Sequence, residues 1–533
     1  MAKREKRVID QEAIIRYLGR ESGRIPQKFF RLAPRFRSST RPETLRIKLK
    51  SETRPDLVPF AILTDMLLDV LDCFSSYQAL YDDLRDLQQH IHPGRPAELV
   101  SLAFAIEHPV DPLALLQSWV DPLDCHLYFE RSGAKTSILA VGAALRLTVD
   151  GARRFVQARD WIKQVTNRVM VRGDRSVPFS GAHFFCGFSF FDQATLEDGF
   201  AAGSIFLPEW QIGRSGDRTS LVVNRVLDSD FCAETEAREI WTQLQRIQAT
   251  TFDRHSLAPS PTQSFQAFTS PDQFKTSVNQ ALTVIKSKKI EKVVLALAYE
   301  VKAAQKFNVV TSLYNLRKLY NDCYIFSCNN TSGETFLGAS PERLVTVDRN
   351  HLETDALAGS APRGETPLHD RHIAQTLLGS IKETHEHQLV IDFITAQLVA
   401  LGLEPEMFPA TLLQLPNIQH LHTPIRSIVP KTVHILDVVA ALHPTPAVAG
   451  VPRDLACDQI RSLETFDRSR YAAPIGWIDG EGNGEFAVGI RSAILAGDRA
   501  RLFAGAGIVQ GSNPEHELAE VQLKLQALLR AIV

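Results

Sequence analysis

The sequence predicts an α+β protein in which large antiparallel sheets pack together and helices lie outside. Three observations carry this expectation. From about residue 100 onward, short runs of alternating apolar and polar residues recur with glycine turns between them, and alternation at period two marks a half-buried strand. Neighbouring runs such as YIFSC, TFLGAS and RLVTVD, within residues 324–348, follow one another with no room for a crossover helix, so they read as hairpins. Amphipathic helical patterns fall between groups of strands rather than after each one, which disfavours a doubly wound parallel sheet.

The elements follow in order. Residues 1–54 carry 16 Lys+Arg against 6 Asp+Glu and read as a solvated basic arm. A transit-like leader and a start placed too far upstream are the alternatives; Glu5 and Asp10 weigh against the leader. Residues 57–92 have apolar residues at three-to-four spacing and read as a small helical element. Strands are expected in CHLYFER (125–131), SILAVGAALRLTV (137–149), GAHFFCGFSFFD (181–192) and SIFLPEWQIGRSGDRTSLVVN (204–224). A helix near 233–249, the linker SLAPSPTQS, a helix over 271–288, the strand KVVLALAYEV from Lys292 and a helix near 308–319 come next. One long helix is expected over 372–401. Ile373, Leu377, Leu378, Ile381, Leu389, Ile391, Phe393, Ile394 and Leu398 form its apolar face, and Gly402 stops it. The last helix starts at Ser512 or Asn513 as cap with Pro514 in the first turn, and buries Leu518, Val521, Leu525, Leu528 and Ile532.

Composition narrows the function. The 533 residues are 44% hydrophobic and 23% charged, ordinary for a globular protein with a large core. A net charge of -2 argues against a nucleic-acid binder. No run reaches ~18 uninterrupted apolar residues, so no membrane span is expected. The 7 cysteines are dispersed without a CxxC, which fits a reducing compartment, the cytoplasm, and no disulfide framework.

Two glutamate pairs stand out. Glu383 and Glu386 lie in IKETHEHQLV, and Glu517 and Glu520 in NPEHELAEVQLKL. Spacing of three on a helix puts each pair on one face. A Glu pair alone is usually solvated surface. If the two faces meet, four negative charges share one pocket and call for raised pKa values or a hard divalent ion bound through oxygen, above all Mg2+. Two glycine-rich stretches, LAGSAPRG (357–364) and AGAGIV (504–509), read as loops whose backbone can approach a ligand. Neither fits a nucleotide-binding fingerprint. Arg491, in the otherwise apolar or small strand EFAVGIRSAI, is either a structural ion pair or a clamp for a carboxylate. Lys524 lies one turn beyond Glu520. Lys292 opens a strand and Glu342 follows a Pro-bearing turn; a Lys and a Glu on opposite sides of a substrate could serve as base and acid.

Taken in order, these segments resemble the chorismate-binding enzymes. The resemblance is dense over about 240 residues. It runs from KVVLA at 292 through FLGASPERL, ALAGSAPRG, KETHEHQLV, IQHLHTPI, LHPTPAVAGVPR, ETFDRSRYAAPIGWID, GNGEFAVGIR and LFAGAGIV to NPEHELAEVQLKL. It implies the chorismate-utilising fold with the active site in a cleft between the sheets. It divides the chain into 1–95 (the arm plus the helical extension), 96–265 (the N-terminal part of the fold) and 266–533 (the catalytic region). By motif, Glu386 and Glu520 resemble the principal Mg2+ ligands and Glu383 and Glu517 their partners. Gly359, Ser360, His443, Thr445, Ala447, Tyr471, Arg491, Gly505, Gly507 and Lys524 match substrate-binding positions.

The resemblance also implies a reaction. Family members with lysine at the position of Lys292 activate water, and Glu342 would protonate the leaving 4-hydroxyl, so the implied activity is isochorismate synthase. Members that go on to eliminate pyruvate have Thr where this chain has Ala447, which favours the simple isomerase over salicylate synthase. The long N-terminal part resembles menaquinone- and phylloquinone-pathway enzymes, and a monomer or weak dimer is expected. One departure stands out: the family strand usually reads KVVLAR or KVVLSR, and Leu297 replaces the arginine. A catalytically silent relative is the alternative this motivates.

Overall fold

The computed structural model describes residues 76–532, except 92–96, 120–124, 195–198, 253–256, 258–261, 268–269 and 331. The basic arm, most of the 57–92 helical pattern and part of the SLAPSPTQS linker lie outside the described residues. What is described of the helical pattern is Tyr77–Gln89, capped by Ser76 and burying Leu80, Leu84 and Leu87.

Among the described residues two large sheets form the body. The 13-stranded sheet runs from Thr262–Ala267 through Lys292–Ala303, Arg499–Val509, Ser492–Ala496, Thr335–Ser340, Tyr324–Asn329 and His126–Arg131 to strands of the N-terminal part. The 10-stranded sheet centres on Ile418–Ile428, His351–Pro362, Arg343–Asp348, Gly484–Val488, Pro474–Asp479 and His183–Phe188. Pairing is antiparallel except where Glu98–Ile106 meets Val169–Gly173. Strands from the two halves of the chain are direct neighbours: Tyr324–Asn329 pairs with His126–Arg131, and Pro474–Asp479 with His183–Phe188. The expected α+β architecture is the one observed, and one continuous apolar core links both halves.

Three local expectations need correction. The long helix is two helices, Pro367–Gly379 and Ile381–Ala400. Ser380 between them is extended (φ -75, ψ 119), and its hydroxyl caps the second helix by accepting from Glu383 N. A short polar side chain that can bond the backbone outside the helix breaks a continuous apolar pattern. Leu378 and Ile381, assigned to the apolar face, are exposed; the buried stripe is Val390, Ile391, Ile394 and Leu398.

The glycine-rich stretches are strands, not loops. AGAGIV is the end of Arg499–Val509, in unbroken register with Lys292–Ala303. LAGSAP is the end of His351–Pro362, with one register shift between Ala358 and Ser360 where Gly359 takes φ +73. Glycine signals a turn in sequence because it costs nothing at positive φ. Here Gly505 and Gly507 instead leave out a side chain at a crowded wall. Arg491, in turn, lies between the strands Gly484–Val488 and Ser492–Ala496 with φ 49. A non-glycine residue in that region is uncommon and strained, and such strain clusters at functional sites.

Candidate active site

Several elements converge on a cavity of about 80 Å³. Of the residues singled out from sequence, Glu342, Gly359, Ser360, Glu386, Ala447, Tyr471, Arg491, Gly505, Gly507, Glu520 and Lys524 line it. Lys292, Glu383, Glu517 and Thr445 stand directly behind those residues. Lys292 Nζ is 2.9 Å from Glu386 Oε1, and Ser360 N donates to Glu383 Oε2 at 2.9 Å. Glu517 joins Glu383 through Lys382, and Thr445 Oγ1 is 3.5 Å from Glu342 Oε1. His443 does not line the cavity. It is buried beyond it against Phe155 and Phe190, with Nε2 3.1 Å from Phe190 O, and burial holds it neutral with a pKa of about 3.

The glycines make room for this charge. A Cβ on Gly507 would collide with the Glu386 carboxylate and come within 3.1 Å of Lys292 Cε. One on Gly505 would lie 3.0 Å from Tyr471 Oη. Successive odd residues of a strand share a face, so the AGAG alternation clears one face only.

The two acidic helix faces do meet, and cations lie between them. Lys382 Nζ is 3.0 Å from Glu517 Oε1 and 3.4 Å from Glu383 Oε1. Lys524 Nζ bonds Glu520 Oε1 at 2.6 Å and Gly505 O at 2.8 Å. Burial and the repulsion of Glu386 raise the Glu383 carboxyl, and burial raises that of Glu517 despite Lys382. Burial opposes the charge on Glu520 too, but Lys524 outweighs it and holds the carboxyl below its ordinary value. Among the described residues no three His, Cys, Asp or Glu side chains are gathered as a metal-coordinating group. The donor set nevertheless fits a hard dication: it is oxygen-only, and its carboxylates repel one another at short range.

Arg491 and Lys292 have unmet bonding capacity. Arg491 is buried, its Nη2 contacts His420 Nε2 at 2.9 Å, and its Nη1 has no acceptor. Lys292 is fully buried and makes no aligned hydrogen bond beyond the contact with Glu386. An unsatisfied buried donor is costly: Arg491 points to an anionic ligand completing the site, and Lys292 to a polar group within reach of its nitrogen. Arginine can only donate, so His420 Nε2 accepts and its Nδ1–H faces Ser360 Oγ at 3.0 Å. Burial, Arg491 and Lys524 keep His420 well below the usual histidine pKa, consistent with that neutral tautomer.

Glu342 is held by its backbone: its N donates to Ser340 Oγ at 3.2 Å and its O accepts from Val488 N at 3.1 Å. Burial pushes its carboxyl up to about 8, against the pull of Lys292 and with a further push from Asp355. It therefore carries a proton at neutral pH, as a general acid requires.

Sequence reasoning missed His420 and Lys382. Both lie inside quoted motifs, IQHLHTPI and KETHEHQLV, but a strand histidine and a helix lysine gave no sign of which way they pointed. Leu297 is fully buried and lies five residues along an unbroken strand from Lys292, so it is on the opposite face. Its replacement of arginine does not reach Lys292 directly. A far larger cavity, about 790 Å³, lies elsewhere between the sheets against Phe179, His183 and Trp477 and contains none of the singled-out residues.

An α+β sandwich with a buried lysine, a protonated glutamate and facing acidic helices defines an enzyme for a small carboxylate. Residues 85–533 match the family model described as chorismate binding enzyme, and the chain belongs to that family. It is 35% identical over 438 residues to the salicylate biosynthesis isochorismate synthase of Pseudomonas aeruginosa, covering 81% of this chain and 90% of that one. It is 29% identical over 461 residues to isochorismate synthase MenF of Escherichia coli, covering 84% and 97%. The solved structure of the menaquinone-specific isochorismate synthase from Escherichia coli superposes with a TM-score of 0.70 at 26% identity, covering 86% of this chain and 99% of that one.

Proposed function

We propose that this enzyme is an isochorismate synthase, which isomerises chorismate to isochorismate. The observation that carries the reading is the pairing of a buried Lys292 at the cavity's base with Glu342, whose carboxyl is raised to about 8, in its wall. Relatives named isochorismate synthase cover most of the chain and support it.

Lys292, acting as the unprotonated amine, accepts a proton from water as that water's oxygen forms a bond to ring carbon C2. The C1–C2 and C5–C6 double bonds shift to C1–C6 and C4–C5, and the C4–O bond breaks. Glu342 delivers its proton to the departing hydroxide, which leaves as water. One water enters and one leaves, so the reaction is an isomerisation, and the proton lost by Glu342 is restored from the one gained at Lys292. Arg491 and Lys524 bind substrate carboxylates, with Ser360 and the Gly505–Gly507 backbone alongside. Glu386 and Glu520, supported by Glu383 and Glu517, would hold Mg2+, which when bound supplies neutralisation of the ring carboxylate. Ala447 puts a methyl group and no hydroxyl in the cavity wall, which favours release of isochorismate over pyruvate elimination.

Purified protein incubated with chorismate, with and without Mg2+, tests the reading. Isochorismate as product is expected. Salicylate plus pyruvate would replace it with the lyase, and no turnover would leave a silent chorismate-binding relative. Relatives carry names from both menaquinone and salicylate biosynthesis, so the reaction that consumes the product is read from the genomic neighbours rather than from the site.

A further inference from the structure

The strand that carries Lys292 has a gap along one edge. Lys292 and Val293 pair there with Gly450–Val451, and Tyr299 to Ala303 pair with Thr262–Ala267. Val294 N still donates to Ala449 O at 2.7 Å, and beyond it no described strand pairs with Ala296 on that side. Two side chains fill the gap. Glu464 Oε1 accepts from Ala296 N at 2.8 Å, and Arg468 Nη2 donates to Val294 O at 2.8 Å. One acceptor and one donor facing an N–H and a C=O two residues apart is the pattern a residue of a neighbouring strand would present.

The pair is locked into the surrounding wall. Arg468 is fully buried, and its Nε donates to Glu464 Oε2 at 2.8 Å. Its Nη1 donates to Val448 O at 2.8 Å. The guanidinium lies 4.4 Å from the Phe190 ring centre and 5.7 Å from that of Tyr471. Val294, Val448 and Tyr471 all line the active cavity. One planar fork therefore touches three separate pieces of that cavity's wall. An ammonium, as a point charge, cannot bridge both carbonyls and the carboxylate in fixed geometry.

We infer that Glu464 and Arg468 are positioning residues that bond the Ala296 N–H and the Val294 C=O where no described strand does, and so fix the Lys292 strand against the Ala447 segment and Tyr471. The inference rests on the reading of Lys292 as the base. A pair that served only the core would govern stability alone; this one also sets where the Lys292 nitrogen stands relative to the ring.

Arg468→Lys in the full chain tests it, with Arg468→Ala and the neutral pair Glu464→Gln/Arg468→Met as further variants. Arg468→Lys is expected to unfold cooperatively and to lower kcat ~10–100-fold, since a displacement of about 1 Å at a reacting group has that effect. KM should change less than ~3-fold, because Arg491, Lys524 and Ser360 stand on other segments. Amide hydrogen exchange at Ala296, whose N–H donates to Glu464, should quicken. Guanidinium ion should restore part of the kcat of Arg468→Ala, and the neutral pair should fold yet share the kcat loss. Wild-type kcat in Arg468→Lys overturns the inference, as does a parallel fall of kcat, KM performance and thermal midpoint without guanidinium rescue. If the wild type makes no isochorismate, the proposed function fails separately; unchanged exchange at Ala296 in Arg468→Lys would then overturn the positioning role by itself.

Discussion

The two cavities between the sheets differ in almost every respect. The larger, about 790 Å³, is bordered by an aromatic group of Phe179, His183 and Trp477 and by exposed charges such as Arg175, Arg349 and Glu481. The smaller, about 80 Å³, is surrounded by five glutamates, three lysines and a buried arginine, most of them shielded from water. The contrast teaches that chemistry is located by desolvated, mutually perturbed charge rather than by volume. Lysine–carboxylate pairs also occupy much of the space around the small cavity.

The comparison can be broken from its strongest side. Lys292→Ala and Glu342→Gln should each lower turnover ~100-fold or more with the fold retained, measured as kcat on chorismate alongside circular dichroism. Near-normal activity in either would remove the assigned roles. Glu386→Ala and Glu520→Ala should lose activity and the response to added Mg2+ together, read from a magnesium titration of rate and of thermal midpoint. Arg491→Lys should raise KM ~10-fold with a smaller effect on kcat, because a point charge replaces a fork.

Two smaller effects sharpen it. The acid role proposed for Glu342 requires its proton, so kcat should fall as pH rises through about 8, and Glu342→Gln should lack that limb. The same shift has a stability consequence with a definite sign. The folded carboxyl binds its proton more tightly than the unfolded one at its ordinary 4.5, so the fold weakens as pH climbs from there toward 8. In the larger cavity, Trp477→Phe should leave kcat within ~2-fold; a large loss there would erase the distinction between the two regions.

Much of this site was legible in the sequence, and the reasons are local. Helix periodicity put Glu383 with Glu386 and Glu517 with Glu520, and the cap at Asn513 was visible, its side chain accepting from Glu515 N at 2.9 Å. What failed was nonlocal. The role of Gly507 depends on Glu386 and Lys292 and that of Gly505 on Tyr471, all from other elements, so composition alone made them a loop. The break at Ser380 was hidden because apolar spacing continued across it. The neutrality of His420 is set by burial and by Arg491, 71 residues away, and no window of sequence shows either.

Pairing of His126–Arg131 with Tyr324–Asn329, and of His183–Phe188 with Pro474–Asp479, bears on how the chain matures during translation. The early strands leave the ribosome long before their partners exist and wait with open hydrogen-bonding edges. Such contacts of long sequence separation slow folding and expose the nascent protein to aggregation. A fragment ending near residue 265 should therefore be insoluble alone, and co-expression with the remaining chain should recover it.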